Sequence, residues 1–282
     1  MRNWCGWLVL LLVPMVGWGQ NPQNKQGDTP FQILTSATYE KNPDKRREAI
    51  VAVSLMGAQD EALHLLEAAL RDEDVPVRVA ACASLPMLKD PKVIPLLKKA
   101  LDDTVPEVSF AAAKALWEMN DPAGRDVLLE VVEGDKKVKS GFLTSQKRDA
   151  LRLMKTPNGM FKLVVREGIG FIPLPGVGTG YASLESLMAY NGISGRAAAA
   201  LLLAQDKGDD SLQVLVEALD DKDWTVRASA VHALALRNEP KVKQNLVPLL
   251  DDKKDAVRYR AAAAIIRLEW LAKNRGGNRK RP

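Results

Sequence analysis

Few residues in this chain are suited to chemistry, and they are scattered. His64 and His232 are the only histidines, and Cys5 and Cys82 the only cysteines. A zinc site needs about four such ligands at close spacing, and none can be drawn from this set. No G-x-S-x-G elbow or His-based nucleophile pair is present. Carboxylates are abundant but sit in short turns, so no general-acid pair stands out. One stretch invites a closer look: residues 169–181, IGFIPLPGVGTGY, carry three alternating glycines. A dinucleotide fingerprint requires glycine at the third position of G-x-G-x-x-G, where Tyr181 stands instead. A phosphate loop requires Gly-Lys-Ser/Thr, but Gly180 is followed by Tyr181 and Ala182. The two prolines of FIPLP would also interrupt any central strand leading into it. The stretch therefore reads as a connector or a partner-binding insertion. Its apolar members Phe171, Ile172, Leu174 and Val177, with Tyr181, are the candidate contacts.

The elements around this stretch repeat. Val77 opens VRVAACASL, Val108 opens VSFAAAKAL, Val226 opens VRASAVHAL and Val257 opens VRYRAAAAI. Val77 to Val108, Arg196 to Arg227 and Val226 to Val257 are each 31 residues apart, and Arg46 precedes Arg78 by 32. Each Ala-rich segment is followed by a Leu-rich one, such as 61–70, 91–101 and 210–219. There Leu63, Leu66 and Leu70 keep the i, i+3, i+7 spacing of one helical face. A unit of about 31 residues holds two short helices and two turns. Neither helix buries its stripe alone, so neighbouring units must stack. Acidic turns such as LDDKD (219–223) separate the units, with aspartates placed to cap the next helix. Asp74 and Asp223 each stand four residues before an arginine, Arg78 and Arg227, which predicts pairing inside the repeat.

The pattern resembles the HEAT-repeat family, in particular its short-repeat branch named after phycobilisome lyases, over residues 43–134 and 191–273. The resemblance implies an all-α fold, an α-solenoid of stacked antiparallel helix pairs with about six repeats. It implies little about function, because such solenoids bind many partners. Iron-binding hydroxylases of this fold use repeated His-Glu pairs, whereas His64 and His232 are followed by Leu65 and Ala233. Both histidines are expected to be surface or packing residues. The period is broken once, across residues 135–190, by a divergent repeat and the Gly/Pro-containing insertion.

The ends complete the organisation. Residues 1–19 combine Arg2, an apolar run from Trp4 to about Val16 and small residues before Gln20, the pattern of a signal peptide. An uncleaved anchor is the alternative. Residues 20–42 are expected to be a polar linker. The chain carries a net charge of +5, but residues 274–282 are expected to be a disordered tail that, with Lys273, concentrates Arg275, Arg279, Lys280 and Arg281. Without these residues and Arg2 the body is close to neutral, which argues against nucleic acid as the partner. Trp224, within the acidic turn DDKDWTV, is expected at a rim where a partner could reach it. The sequence thus points to an exported, periplasmic or secreted bacterial scaffold that binds another protein. It implies no catalysis, cofactor, metal or small-molecule substrate. The alternatives are an envelope or polyanion-surface binder acting through the basic tail and, third, a lyase-type enzyme.

Overall fold

The computed structural model describes residues 28–133 and 194–278, with side chains through residues 129 and 274. Among the described residues there are helices and short 3-10 turns but no strand. The N-terminal block contains α1 (Pro30–Thr38), α2 (Pro43–Val53), α3 (Asp60–Ala69), α4 (Val75–Ser84), α5 (Val93–Ala100), α6 (Pro106–Glu118) and α7 (Pro122–Glu133). The C-terminal block contains α8 (Gly195–Leu202), α9 (Asp209–Glu217), α10 (Trp224–Arg237), α11 (Lys243–Leu246) and α12 (Asp255–Asn278).

Local chemistry sets these boundaries. Asn42, Asp74, Ser194 and Asp223 accept hydrogen bonds at the N-termini of α2, α4, α8 and α10, from the amides of Asp44, Val77, Ala197 and Thr225. Each cap satisfies an amide the helix leaves without a partner. Proline occupies the first turn of α1, α2, α4 and α6, where its missing N–H costs nothing. α11 is short because Pro248 cannot continue it, and the chain tightens into a 3-10 turn over Val247–Asp251.

The Ala-rich helices form one row and the Leu-rich helices a second. Ala111–Ala113 in α6 and Ala261–Ala264 in α12 are buried, which lets neighbouring helix axes approach closely. Leu66, Leu97 and Leu215 fill the space beneath them, each fully buried.

The order of the first row does not follow the chain. It runs α8, α10, α12, α2, α4, α6, so the last repeat packs directly on the first. α1 completes this joint. It packs on both α12 and α2, taking the second-row place between them, as α3 does between α2 and α4. α1 is thus the second-row neighbour shared by the last and the first of the first-row helices in chain order.

Two expectations are corrected here. Residues 20–42 were expected to be a linker, yet Pro30–Thr38 are helical. Thr29 and Gln32 form a reciprocal capping box, and Leu34 and Ala37 bury an apolar stripe against the joint. Residues 274–282 were expected to be a disordered tail, yet α12 continues through Asn278.

A polar ladder along the rim fastens consecutive repeats. Arg46 donates from Nε and Nη2 to the Asp72 carboxylate, both at 2.8 Å. Arg78 engages Asp103 in the same way at 2.9 and 3.3 Å, and Arg227 engages Asp252 at 2.7 and 2.9 Å. Arg196 pairs with Asp221. The same arginines reach back through Nη1: Arg46 to the carbonyl of Glu40, Arg78 to that of Asp72 and Arg227 to that of Asp221. Each guanidinium therefore ties the turn before its helix to the turn after the next one. The pairing expected between Asp74 and Arg78, and between Asp223 and Arg227, does not form. Those aspartates are committed to their caps, and the forked guanidinium instead reaches a carboxylate that accepts two bonds at once. In α6 the arginine position is held by Ser109, whose hydroxyl donates to the Leu101 carbonyl.

Candidate functional site

Exposed apolar side chains occur on both rows: Trp117 on α6 and Leu202 on α8 in the first, and one on each of three second-row helices. Phe31 on α1, Leu129 on α7 and Val214 on α9 are 42%, 42% and 53% exposed. Between the blocks lies a groove of about 540 Å³. Asp60, Asp90 and Lys92 line it from the N-terminal block, and Glu269, Trp270 and Lys273 from α12. Trp270 remains 41% exposed there, an aromatic face ringed by both signs of charge. Lys92 donates to Asp60 at 3.0 Å, which holds the Asp60 carboxyl below its ordinary range and raises the Lys92 ammonium above its own. A second groove of about 460 Å³ opens between α1, α2 and α3, with Tyr39 at its lip and the Arg46–Asp72 pair in its wall. Tyr39 is 70% exposed.

Polar groups behind this surface are held for structure. Cys82 is a free, buried thiol, and burial pushes its pKa up to about 12, which keeps it protonated and unreactive. His232 is buried in α10. Burial first, and then the nearby charges of Arg260 and Arg267, bring its pKa down to about 3. The ring is therefore neutral, and neither of its nitrogens has a hydrogen-bond partner among the described residues. His64 is exposed on α3. Among the described residues no group of three or more His, Cys, Asp or Glu side chains is placed to hold a metal ion.

The candidate contacts read from the sequence fare unequally. Phe171, Ile172, Leu174, Val177 and Tyr181 lie outside the described residues. Trp224 is not a free rim residue. It opens α10 half-buried and packed on the core, directly after the capping residue Asp223. Lys273 is exposed at the groove, and the backbone of Arg275 lies in α12; Arg279, Lys280 and Arg281 lie outside the described residues. Tyr39 and Trp270 were not singled out as contacts by sequence reasoning. Tyr39 closes a helix that the sequence did not announce, and Trp270 faces a groove that exists only because α12 lies against α3's end of the other block.

Comparison with known families matches residues 62–142 and 191–266 to the model described as HEAT repeats, together more than half of the chain. The chain belongs to the HEAT-repeat family. No curated protein matches this HEAT-repeat chain. Among solved structures it is similar to the complex of CpcE and CpcF of phycocyanin lyase from Nostoc sp. PCC7120. That alignment has 18% identity and a TM-score of 0.33, and covers 90% of this chain and 97% of that one. A likeness of this size carries no argument about what the HEAT-repeat chain does. The all-α solenoid stands on the helices themselves and on the family match. HEAT repeats favour a scaffold for protein partners, and the surface just described is of that kind.

Proposed function

We propose that the protein is an exported HEAT-repeat scaffold that captures another protein on its second-row face and works without catalysing a reaction. The observation that carries this reading is the second row itself. Helices from both blocks line up across the joint and hold exposed Phe31, Leu129 and Val214 on a frame fixed by the arginine–aspartate ladder. Isolated apolar groups on a preorganised, otherwise polar surface bind partners at low entropic cost. Export rests on the apolar N-terminal run with its small residues before Gln20, and implies a periplasmic or secreted protein.

The test is capture from an envelope fraction with chemical cross-linking, comparing the wild type with a Phe31→Asp/Val214→Asp double variant. A single partner captured by the wild type and lost from the variant supports the reading. Equal capture by both places binding elsewhere on the chain. Deleting residues 169–180 separates the face from the insertion, because loss of capture in that variant alone assigns the contact to Phe171, Ile172, Leu174 and Val177.

A second reading is favoured by Lys273, exposed on α12 and followed in the sequence by Arg275, Arg279, Lys280 and Arg281. This cationic end would hold an anionic envelope surface by charge. Truncation after Lys273 checks it: binding to anionic vesicles at low salt must fall sharply.

A further inference from the structure

The joint between α12 and the α1–α2 pair is built like a protein–protein interface. Every contact across it joins residues distant in the chain. Arg260, 1% exposed, donates from Nη1 to Glu48 Oε2 at 3.2 Å and to its own Ala256 carbonyl at 2.8 Å. Arg267 donates from Nη1 to the Leu55 carbonyl at 3.1 Å and from Nε to Asn238 Oδ1 at 2.7 Å. Lys45 and Asp255 pair at 3.5 Å on its rim. Leu34, Leu55 and Met56 from one side, and Ala261–Ala264 from the other, are almost completely buried. Gly57 permits the approach of Arg267. Its φ is +80°, and a Cβ there would lie 2.7 Å from Arg267 Nη1. The joint thus has an apolar centre, a desolvated arginine with a carboxylate partner, and a charged rim, the anatomy of an association surface.

We propose that the face formed by α1, α2 and the Ser54–Met56 turn is a self-sufficient binding surface whose fitting partner is the α12 helix face. The two blocks then associate whether or not the chain is continuous between them. The stacking order supports this. α12 with α1 reproduces a regular repeat, so the joint has the same two-row packing that holds α2 on α4. The interior arginines also set the register: a neighbour lacking a carboxylate at the place of Glu48 leaves a buried cation poorly compensated. The inference is independent of the proposed partner capture.

The decisive experiment inserts a site-specific protease sequence between Ser140 and Gly141 of the full chain. Cleavage is followed by size-exclusion chromatography at about 1 µM. A covalent connection alone supplies an effective concentration of about a millimolar, so cutting it exposes the intrinsic affinity of the joint. The expected result is co-elution of both pieces at the position of the uncut chain, with unchanged helical circular dichroism. Separate elution overturns the proposal. Glu48→Lys, which sets like charge against Arg260, is the companion variant. Uncut it should remain helical and monomeric, and once cut its pieces should separate, with affinity reduced at least tenfold. Arg267→Glu probes the joint from the other block with the same expectation. If both variants still co-elute after cleavage, another surface holds the pieces and the proposal fails.

Discussion

Two kinds of neighbour contact hold this molecule together, and they differ in what their arginines hold. Between α2 and α4, or α8 and α10, the buried contact is made largely by Ala, Val and Leu, and the arginines form forked ladder pairs with an aspartate of the next repeat. At the joint between α12 and α2 the arginine pairing takes another form. Arg258 keeps the backward bond to the Asp252 carbonyl and pairs with Asp255 of its own helix. Arg260 and Arg267 instead reach across to Glu48 and the Leu55 carbonyl, whereas Arg237, buried inside the C-terminal block, binds Ser211 and the Gly208 carbonyl of its own block. Consecutive repeats are brought together by the chain and need only be fastened. Repeats from opposite ends must recognise one another, and a buried ion pair is better at rejecting wrong neighbours than at adding stability.

The largest effect should come from emptying the core on either side of that comparison. Leu34→Ala, in α1 at the joint, and Leu97→Ala, in α5 within a block, remove fully buried side chains. Each should cost about 3–5 kcal/mol in denaturant unfolding. If the joint is as tight as a block contact, both variants keep one cooperative transition. A separate early transition in Leu34→Ala alone would mark the joint as the weaker contact.

Breaking the ladder comes next. Arg78→Ala leaves Asp103, itself 15% exposed at its side chain, without its forked partner and frees the Asp72 carbonyl. A loss of about 3 kcal/mol is expected by chemical denaturation. Ser109→Ala, at the equivalent position of α6, should cost about 1 kcal/mol, since only one neutral hydrogen bond is lost.

The buried histidine makes the C-terminal block sensitive to acid. His232 has a folded pKa of about 3, below the 6.5 of an unconstrained imidazole. The unfolded chain therefore takes up the proton first. Its contribution is constant above pH 6.5, falls as pH drops from 6.5 toward 3, and levels off below that. The loss reaches roughly 2 kcal/mol by pH 5, from 1.36 kcal/mol per unit. Urea titrations of wild type and His232→Leu between pH 7.5 and 5 should diverge by that amount, with the wild type losing more. Parallel curves would show that the imidazole is hydrated in the native state.

The smallest effect sharpens the joint. Thr29→Ala removes the capping box of α1 and should cost about 1 kcal/mol. In the cleaved chain it should weaken association of the pieces by several-fold, because α1 is part of the binding face. In the uncut chain circular dichroism should barely change.

Much of the architecture was legible in residue types. The spacing from Val77 to Val108 and from Val226 to Val257, the caps at Asp74 and Asp223, and the Leu63–Leu66–Leu70 stripe each express a local rule that no distant contact overrides. Cys82 lies within the Ala-rich segment VRVAACASL, a setting that calls for a small buried side chain, and it is buried. The surface was less legible. Tyr39 and Trp270 owe their positions to α1 and α12, which meet only after folding. α1 itself was hidden in a polar stretch, although Thr29, Pro30 and Gln32 carry its capping signature.

Composition and periodicity by themselves determined that this chain folds as stacked helix pairs, where most pairs begin and end, and that arginines and aspartates would recur at the turns. Only the tertiary structure decided which repeat adjoins which, and which aspartate each arginine holds. The reason is that every repeat presents nearly the same Ala- and Leu-rich faces, so the sequence pattern permits many neighbours. The choice is made by long-range particulars that a periodic pattern does not encode: Glu48 facing Arg260, the open backbone of Gly57 under Arg267, and α1 filling the second-row place between α12 and α2.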